Sequence, residues 1–322
     1  MELLYAFALS LALTVAAGLL LLPTLRRLKF GQSIREEGPR WHMKKNGTPT
    51  MGGLMFIFGV TASTLVFGWP LLSQGQYAHL MVLAFAWLYG AIGFVDDFFK
   101  VVRRQNLGLT ALQKLLLQLA AAAVLLTLMR TLGYTSSQVY LPFANISLPL
   151  PWLIFLTLAI LYVSGFVNAV NLTDGVDGLC GGVTLPVAVF FAVLCAGELQ
   201  GVALCAAALA GGVLGFLFFN FNPARVFMGD TGSLFLGGAL CGLALAADKP
   251  LLLIPVGLIY LIEMFSDILQ VIYFKATGGK RLFRMAPIHH HFELKGWGEK
   301  KLFFVFSLLT VALCALTLYT EW

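Results

Sequence analysis

Long apolar runs determine what this chain can fold into. Ten runs of mostly apolar residues recur along the sequence, each bounded by charge, Pro or Gly, and each has about the 20 residues that a helix needs to cross a bilayer. With 59% hydrophobic and 11% charged residues, 322 residues carry too little polar surface for a soluble globule. Because the runs are unbroken, an outer-membrane barrel of short alternating strands is excluded. The sequence therefore predicts an all-α polytopic membrane protein with ten transmembrane helices. The predicted spans are 3–22, 51–69, 78–96, 112–130, 151–169, 179–197, 201–219, 232–247, 251–273 and 302–320.

The basic residues predict the orientation of these helices. Arg26, Arg27 and Lys29 follow the first run, and no small-residue cleavage site is evident, so we expect a retained helix and not a signal peptide. If the N-terminus lies outside, all but Arg130 and Lys249 of the 21 Lys and Arg fall on the inside, as the positive-inside rule requires. Both termini are then outside, and the net charge of +6 reflects topology and no nucleic-acid partner. The inside segments are 23–50, 96–114, 168–178, 220–231 and 274–301.

The rest of the chain offers little besides helices. No long soluble segment interrupts the runs, so residues 1–322 form one membrane domain. The longest outside connection, from Thr131 to Pro149, has β-branched and aromatic residues around a Pro and an Asn, which predicts a small two-stranded hairpin. The five cysteines lie within or beside spanning runs without paired spacing, so we expect neither disulfides nor a thiolate metal site.

Two adjacent acids close the third predicted helix, in the stretch GAIGFVDDFFK. Asp96 and Asp97 form either an interfacial acidic pair whose charge is balanced by Lys100, Arg103 and Arg104, or a functional site. Acids are unfavourable at the negative end of a helix dipole, and neighbouring carboxylates raise each other's pKa. This costly placement at the lipid boundary indicates a metal ligand, a base or a nucleophile.

Polar residues also end the fifth predicted helix, in NAVNLTDGVDG. Asn168, Asn171, Asp174 and Asp177 recur every third residue, which on a helical segment forms a polar stripe. A helix end with Asx turns and terminating glycines is the alternative. It does not account for two Asn inside an apolar run, so we favour a stripe that faces a cavity.

A third polar segment, NFNPARVFMGDTGS, precedes the eighth predicted helix. Thr231 and Ser233 are able to cap that helix, and a helix N-terminus also binds phosphate. Because Mg²⁺ uses one or two carboxylates and fills its other positions with water and phosphate, Asp230 is the preferred metal ligand.

Three further features complete the inside face. His289, His290 and His291 are adjacent, so they cannot all point at one zinc ion, and phosphate contact or proton transfer suits them better. The loop KKNGTPTMGG includes Lys45, which is able to meet an anion. Glu263 and Asp267 lie on one face of the ninth helix, and packing against helices and a deeper polar cleft remain open there.

These motifs together resemble one family. GTPTMGG, the DD pair, NLTDGVDGL, RVFMGDTGS and PIHHHFE are similar to the motifs of the phospho-N-acetylmuramoyl-pentapeptide-transferase family, within the polyprenyl-phosphate N-acetylhexosamine-1-phosphate transferases. The resemblance covers essentially the whole chain. It implies a Mg²⁺-dependent, multi-pass enzyme of the bacterial inner membrane with a cytoplasmic active-site cleft and periplasmic termini. It also implies the substrates UDP-MurNAc-pentapeptide and undecaprenyl phosphate, contact with membrane lipid, and a homodimer.

The resemblance also implies roles for particular residues. Asp230 corresponds to the Mg²⁺ ligand, and Asp96 and Asp97 to an essential pair that engages the lipid phosphate. One aspartate is either a nucleophile toward the donor or a base toward the lipid phosphate. Because an anionic carboxylate is repelled by the pyrophosphate, we favour direct transfer with Asp97 as base and Asp96 in a positioning role. His290 and His291 join the catalytic group. The residues implied to bind the nucleotide sugar are Lys45, Thr50, Asn168, Asn171, Asp174, Asp177, Asn220, Phe227, Met228, Gly229, Gln270 and His289. Asp267 departs from the family, where an apolar residue is expected.

Two alternative functions remain at this point. A sister enzyme that transfers N-acetylglucosamine-1-phosphate to the same lipid would have a similar pattern. A secondary transporter would also carry membrane acids, but near the midplane and not at one face.

Overall fold

The computed structural model describes residues 1–27, 45, 47–103 and 108–321, and in these ranges the chain is almost entirely helical. The helices are α1 (Glu2–Arg27), α2 (Gly53–Leu72), α3 (Ala78–Arg103), α4 (Ala111–Thr131), α5 (Trp152–Thr173), α6 (Leu179–Leu194), α7 (Gln200–Asn220), α8 (Gly229–Ala246), α9 (Leu253–Val256), α10 (Leu258–Ala276), α11 (Ile288–Glu293) and α12 (Glu299–Glu321), with a 3₁₀ turn at Pro250–Leu252 and strands β1 (Gln138–Leu141) and β2 (Ile146–Pro149).

The helices confirm a polytopic membrane protein but not ten uniform spans. Within the described ranges, eight helices are long and apolar enough to cross a membrane. The ninth predicted span is broken, because Pro250–Val256 and Leu258–Ala276 meet at an angle of 80°. Pro255 and Gly257 at this junction interrupt the helical hydrogen bonds. The sixth span, α6, has only 16 residues, or about 24 Å of helix.

Helices α7 and α8 form the centre of the bundle. Of the spanning residues, 89% are buried in each of these two helices, against 22% in α1 and 28% in α12. Small residues let the central helices approach their neighbours closely. A Cβ at Gly93 of α3, for example, would overlap the carbonyl of Asp230 in α8. This contact sets the C-terminal half of α3 against the start of α8.

The predicted hairpin is confirmed. Strands β1 and β2 pair antiparallel, with Val139 opposite Leu148. Ser136, just before β1, donates from Oγ to Asp248 Oδ2 (2.6 Å) and from its backbone N–H to Oδ1 (3.0 Å). Asp248 lies two residues after the end of α8, so the hairpin lies at the opposite end of α8 from Asp230.

Candidate active site

Asp96 and Asp97 lie inside α3 and not at its end. The helix continues to Arg103, so the prediction that they close it was wrong. Phe98, Phe99 and the residues after them continue the helix, and Lys100 returns one turn later to pair with Asp96. Both aspartates are only 3% exposed. Their unfavourable placement therefore comes from burial, and not from the helix dipole.

The side chain of Asp97 caps a different helix. Its Oδ2 accepts from the backbone N–H of Thr231 (2.8 Å) and from Thr231 Oγ1 (2.7 Å), and its Oδ1 accepts from the N–H of Asp230 (3.2 Å). Helix α8 has no side-chain cap of its own at Met228, so the predicted capping by Thr231 and Ser233 was wrong. A carboxylate from α3 satisfies these N–H groups, and the helix dipole favours its charge.

Two lysines join this cluster. Lys100 Nζ lies 2.6 Å from Asp96 Oδ2, 2.8 Å from Asp230 Oδ2 and 3.8 Å from Asp97 Oδ1. Lys114 Nζ lies 2.9 Å from Asp230 Oδ2. Sequence reasoning treated Lys100 only as a counter-charge and missed Lys114. No sequence motif connects Lys114 with Asp230, because the two residues are 116 positions apart and approach each other only in the folded chain.

The three carboxylates fit a divalent cation. Asp96, Asp97 and Asp230 each offer an oxygen, and these oxygens lie within 4.8 Å of one another. Carboxylate oxygens are the ligands that Mg²⁺ prefers, and the Lys100 ammonium already contacts all three side chains. Asp96 Oδ1 is held by the N–H of Leu109 (2.8 Å). The cluster therefore matches the predicted metal site at Asp230 in its chemistry.

The predicted polar stripe is divided among different contacts. Asn171 reaches the cluster, where Nδ2 donates to Asp230 Oδ1 (2.9 Å) and Ser233 Oγ (2.7 Å). Asn168 instead donates to Gln118 Oε1 (2.6 Å) on α4. Helix α5 ends at Thr173, so Asp174 and Asp177 lie in the following turn and not on a helix face.

Asp174 caps the end of α5 at the edge of the cluster. No residue in the described ranges donates a hydrogen bond to its carboxylate. Burial, and then the negative charges of Asp230, Asp97 and Asp177, raise the pKa of Asp174 well above its usual value. This unpaired acid is open to a donor group or a cation.

A second ionic cluster surrounds Asp177. Lys45 Nζ lies 2.6 Å from Asp177 Oδ1 and 2.6 Å from Glu299 Oε2, and Glu299 also accepts from the N–H of Asp177 (3.2 Å). The other Asp177 oxygen accepts from the N–H of Ala224 (2.9 Å). Sequence reasoning missed Glu299, whose position at the start of α12 resembles an ordinary acidic first turn.

Asn220 ties the same turn to the end of α7. Its Oδ1 accepts from the N–H of Gly178 (3.1 Å), and its Nδ2 donates to the carbonyl of Val226 (2.9 Å). Asn220 is 2% exposed. Its amide is therefore used to join two loops.

The loop before α2 pairs with the loop before α8. The N–H of Gly52 donates to Phe227 O (2.8 Å), that of Gly53 donates to Met228 O (3.0 Å), and that of Phe227 donates to Pro49 O (2.8 Å). Thr50 is buried here, and Gly229 begins α8 with φ +74°. Lys44 and Asn46 of the predicted anion loop lie outside the described residues.

The three histidines point to different partners. His289 Nδ1 contacts Glu263 Oε2 (2.9 Å), His290 Nδ1 contacts Glu293 Oε2 (2.6 Å), and His291 Nδ1 accepts from the N–H of Arg284 (3.0 Å). Partial burial, then the charges of Lys295 and Arg284, lower the pKa of His291. The three adjacent side chains therefore diverge to three different protein partners.

Gln270 organises the chain before the histidines. Its Oε1 accepts from the N–H groups of Leu282 (3.1 Å) and Phe283 (2.8 Å), and its Nε2 donates to Phe283 O (3.1 Å). The side chain therefore holds a loop. The structure brings Asp96, Asp97, Asp230 and Asn171 together, whereas Lys45 and Asp177 form a separate cluster.

Comparison with known proteins identifies relatives over nearly the full length. The model of a family described as glycosyl transferase family 4 matches residues 79–248, and the phospho-N-acetylmuramoyl-pentapeptide-transferase signature 1 matches residues 45–57. The phospho-N-acetylmuramoyl-pentapeptide-transferase of Listeria monocytogenes serotype 4b (strain CLIP80459) is 47% identical over 93% of this chain and 92% of its own.

Two other relatives carry the same name. The enzyme of Clostridium botulinum (strain Alaska E43 / Type E3) is 46% identical over 96% of this chain and 93% of its own. That of Halalkalibacterium halodurans is 46% identical over 99% of this chain and 97% of its own. The chain therefore belongs to the phospho-N-acetylmuramoyl-pentapeptide-transferase family.

Proposed function

We propose that this chain transfers phospho-MurNAc-pentapeptide from UDP-MurNAc-pentapeptide to undecaprenyl phosphate, which yields lipid I and UMP in the first membrane step of peptidoglycan synthesis. The observation that carries the proposal is the meeting of Asp96, Asp97 and Asp230 with Lys100 and Lys114 at one end of a membrane bundle, in a chain of this family. We treat residues 1–322 as a single transferase domain.

The reaction joins two anions, so neutralising their charge is the main task of the site. An oxygen of the lipid phosphate attacks the phosphorus next to the sugar. A new P–O bond forms, the bond to the uridylate oxygen breaks, and UMP leaves with that electron pair. Lys100 and Lys114 are the cations that the cluster offers to these phosphates. Mg²⁺ held by Asp230 and its neighbours would supply further positive charge and orient the diphosphate.

The hydrogen bonds distinguish the two adjacent aspartates. Both oxygens of Asp97 accept hydrogen bonds from the start of α8, so we now assign it to hold that helix in place. Asp96 Oδ2 lies 2.6 Å from the Lys100 ammonium, and Asp96 also interacts with the Asp230 side chain, so we assign Asp96 to face the lipid phosphate beside this cation and the proposed metal ligand. This proposal keeps Asp96 beside the lipid phosphate, as favoured from sequence, and replaces the base role favoured for Asp97 with a structural one.

The donor site is proposed for the turn and loops around the cluster. It combines Asn171, Asp174 and Asp177 of the α5–α6 connection with the paired loops before α2 and α8. The family resemblance adds Lys45, Thr50, Asn168, Asn220, Phe227, Met228, Gly229, Gln270 and His289, and it assigns His290 and His291 to the catalytic group. Several of these side chains are engaged with protein groups, so they act in part by shaping the loops.

A donor comparison tests the reaction. Purified protein with undecaprenyl phosphate and Mg²⁺ should release UMP from UDP-MurNAc-pentapeptide and not from UDP-N-acetylglucosamine. Preference for the second donor would indicate the sister transferase instead. Movement of labelled substrate across proteoliposomes without chemical change would favour a transporter.

A burst experiment tests direct transfer. Enzyme given donor and Mg²⁺ without lipid should release no UMP in proportion to enzyme, because the lipid phosphate is itself the nucleophile. A stoichiometric burst with an acyl-phosphate on Asp96 or Asp97 would establish a two-step reaction and contradict the direct route.

We propose that the cluster faces the cytoplasm and that both termini are periplasmic, because 19 of 21 basic residues lie on that side in the ten-helix arrangement. All five native cysteines are buried, so labelling by a thiol reagent should report on a single cysteine introduced at an exposed position. In intact cells an impermeant thiol reagent should modify a cysteine at Gln138 but not one at Lys300. The opposite pattern would invert the proposed orientation. The homodimer implied by the resemblance is testable by mass measurement in detergent.

A further inference from the structure

A buried Glu–His pair lies beside the proposed donor site. Glu263 on α10 and His289 at the start of α11 are both 0% exposed. His289 Nδ1 lies 2.9 Å from Glu263 Oε2, and the same oxygen faces the His289 backbone N–H at 3.4 Å. This double contact fixes both the position and the orientation of the imidazole ring.

The other ring nitrogen of His289 faces the turn between α5 and α6. A Cβ added at Gly175 would overlap His289 Nε2, so the ring packs directly on the Gly175 Cα. No described residue gives His289 Nε2 a hydrogen-bond partner. The contact requires glycine at position 175, because any larger residue would displace either the ring or the turn.

This turn carries Asp174 and Asp177, one on each side of the contact. Beyond Gly175, the N–H of Asp177 donates to Glu299 and that of Gly178 donates to Asn220. The turn is therefore held at its far end by these two bonds, and beside Asp174 by the imidazole ring. Burial of a polar pair is costly, which is consistent with a role other than packing.

We infer that Glu263 is a positioning residue that acts through His289 to hold the Asp174–Gly178 turn in the geometry that binds the sugar-nucleotide donor. The inference rests on the proposed function for the identity of that donor. It assigns Glu263, a residue outside the motifs, to the donor side of the reaction. His289 contributes by supporting the turn.

Hydrogen exchange and kinetics test the inference. Glu263→Leu removes the acceptor for His289, whereas Glu263→Gln keeps an oxygen that is able to accept from Nδ1–H. In Glu263→Leu the amides of the turn should exchange about tenfold faster, and the donor KM should rise about tenfold, equivalent to 1.4 kcal/mol. The kcat and the KM for undecaprenyl phosphate should stay within about threefold of the parent values. In Glu263→Gln, the amide exchange and the donor KM should be closer to those of the parent than to those of Glu263→Leu.

A second route to the same contact supplies an independent check. Gly175→Ala should displace His289 and raise the donor KM to a similar extent. Both changes act through the His289 ring. The donor KM of the double variant should therefore lie within about twofold of the higher of the two single-variant values. Asp267→Asn, one turn further along α10 and without a described hydrogen bond to His289, is the matched control and should leave both readouts unchanged.

The outcomes separate this inference from the proposed reaction. Unchanged exchange of the turn in Glu263→Leu, or fully additive effects of the two changes, would overturn it. If Glu263→Leu fails to fold, Gly175→Ala carries the same test from the turn side. The exchange measurement needs no substrate, so it decides the inference even if UDP-MurNAc-pentapeptide proves not to be the donor.

Discussion

The two ends of α8 are both polar, yet their charges are balanced differently. Beyond its C-terminal end, Asp248 accepts three hydrogen bonds from Thr135 and Ser136. Nearby, Glu321 pairs with Lys249 and accepts from Tyr140. Each carboxylate at this end has its own donors.

At the N-terminal end of α8, the carboxylates outnumber the ammonium groups that pair with them. Asp96, Asp97 and Asp230 share the ammonium groups of Lys100 and Lys114, and Asp174 adds an acid that has no hydrogen-bond donor among the described residues. A polar cluster with balanced charges stabilises the packing of helices and loops. A cluster with unbalanced charges is suited to bind a ligand. We therefore expect substitutions at the N-terminal end of α8 to alter catalysis and substitutions at its C-terminal end to alter stability.

The largest effect is expected from Asp230→Asn. The substitution keeps the shape of the side chain and its reach toward Asn171, but it removes the charge that faces both lysines and the proposed metal. UMP release should fall about 10³-fold or more, while the protein elutes normally in detergent. Turnover close to that of the parent at the same Mg²⁺ requirement would remove Asp230 from the site.

Lys100→Gln should follow, with a loss of about 10²-fold in kcat. The neutral amide cannot balance three carboxylates or attract a phosphate. Asp230 is the one carboxylate that Lys114 pairs with among the described residues, so Lys114→Gln should cost less, and steady-state kinetics of both variants would rank them. Equal losses would indicate that both lysines contact substrate in the same way.

Asp248→Ala should sharpen the contrast from the other end of α8. It removes the acceptor of three hydrogen bonds, which costs about 2 kcal/mol and lowers Tm by about 4 °C. Below that temperature, kcat should match that of the parent. Glu198→Gln, an exposed acid, is the control, and a loss of activity without a fall in Tm would contradict the division between the two ends.

The smallest effect is a gain in stability from Asp174→Asn. Because the pKa of Asp174 is raised in the folded protein, its contribution to stability is complete below the unfolded pKa, near 3.8, and is lost as the pH rises through the folded pKa. Asp174→Asn should therefore raise Tm by about 2 °C at pH 7.5 and not at pH 3.5. Thermal unfolding at the two pH values measures the difference, and donor binding should weaken.

The sequence predicted the helices well because apolar runs of this length have few alternatives in a membrane. It did not predict the break at Gly257 or the short α6, because a run of apolar letters does not reveal where a helix bends. The acids of the site were also found from sequence, since Asp96, Asp97 and Asp230 are conspicuous against apolar surroundings. Lys114 and Glu299 were not, because each is an ordinary surface charge until the fold places it against Asp230 or Lys45.

The bonds from Asp97 to the first turn of α8 have a consequence for inhibitor resistance. A side chain that both supports a central helix and lies in the site has little freedom to change, since a substitution that weakens a bound drug would also loosen that helix. The N–H groups of Asp230 and Thr231 belong to the backbone, so mutation cannot remove them. Inhibitors that bind to Asp97 and the first turn of α8 should accordingly select resistance substitutions elsewhere, in the surrounding loops.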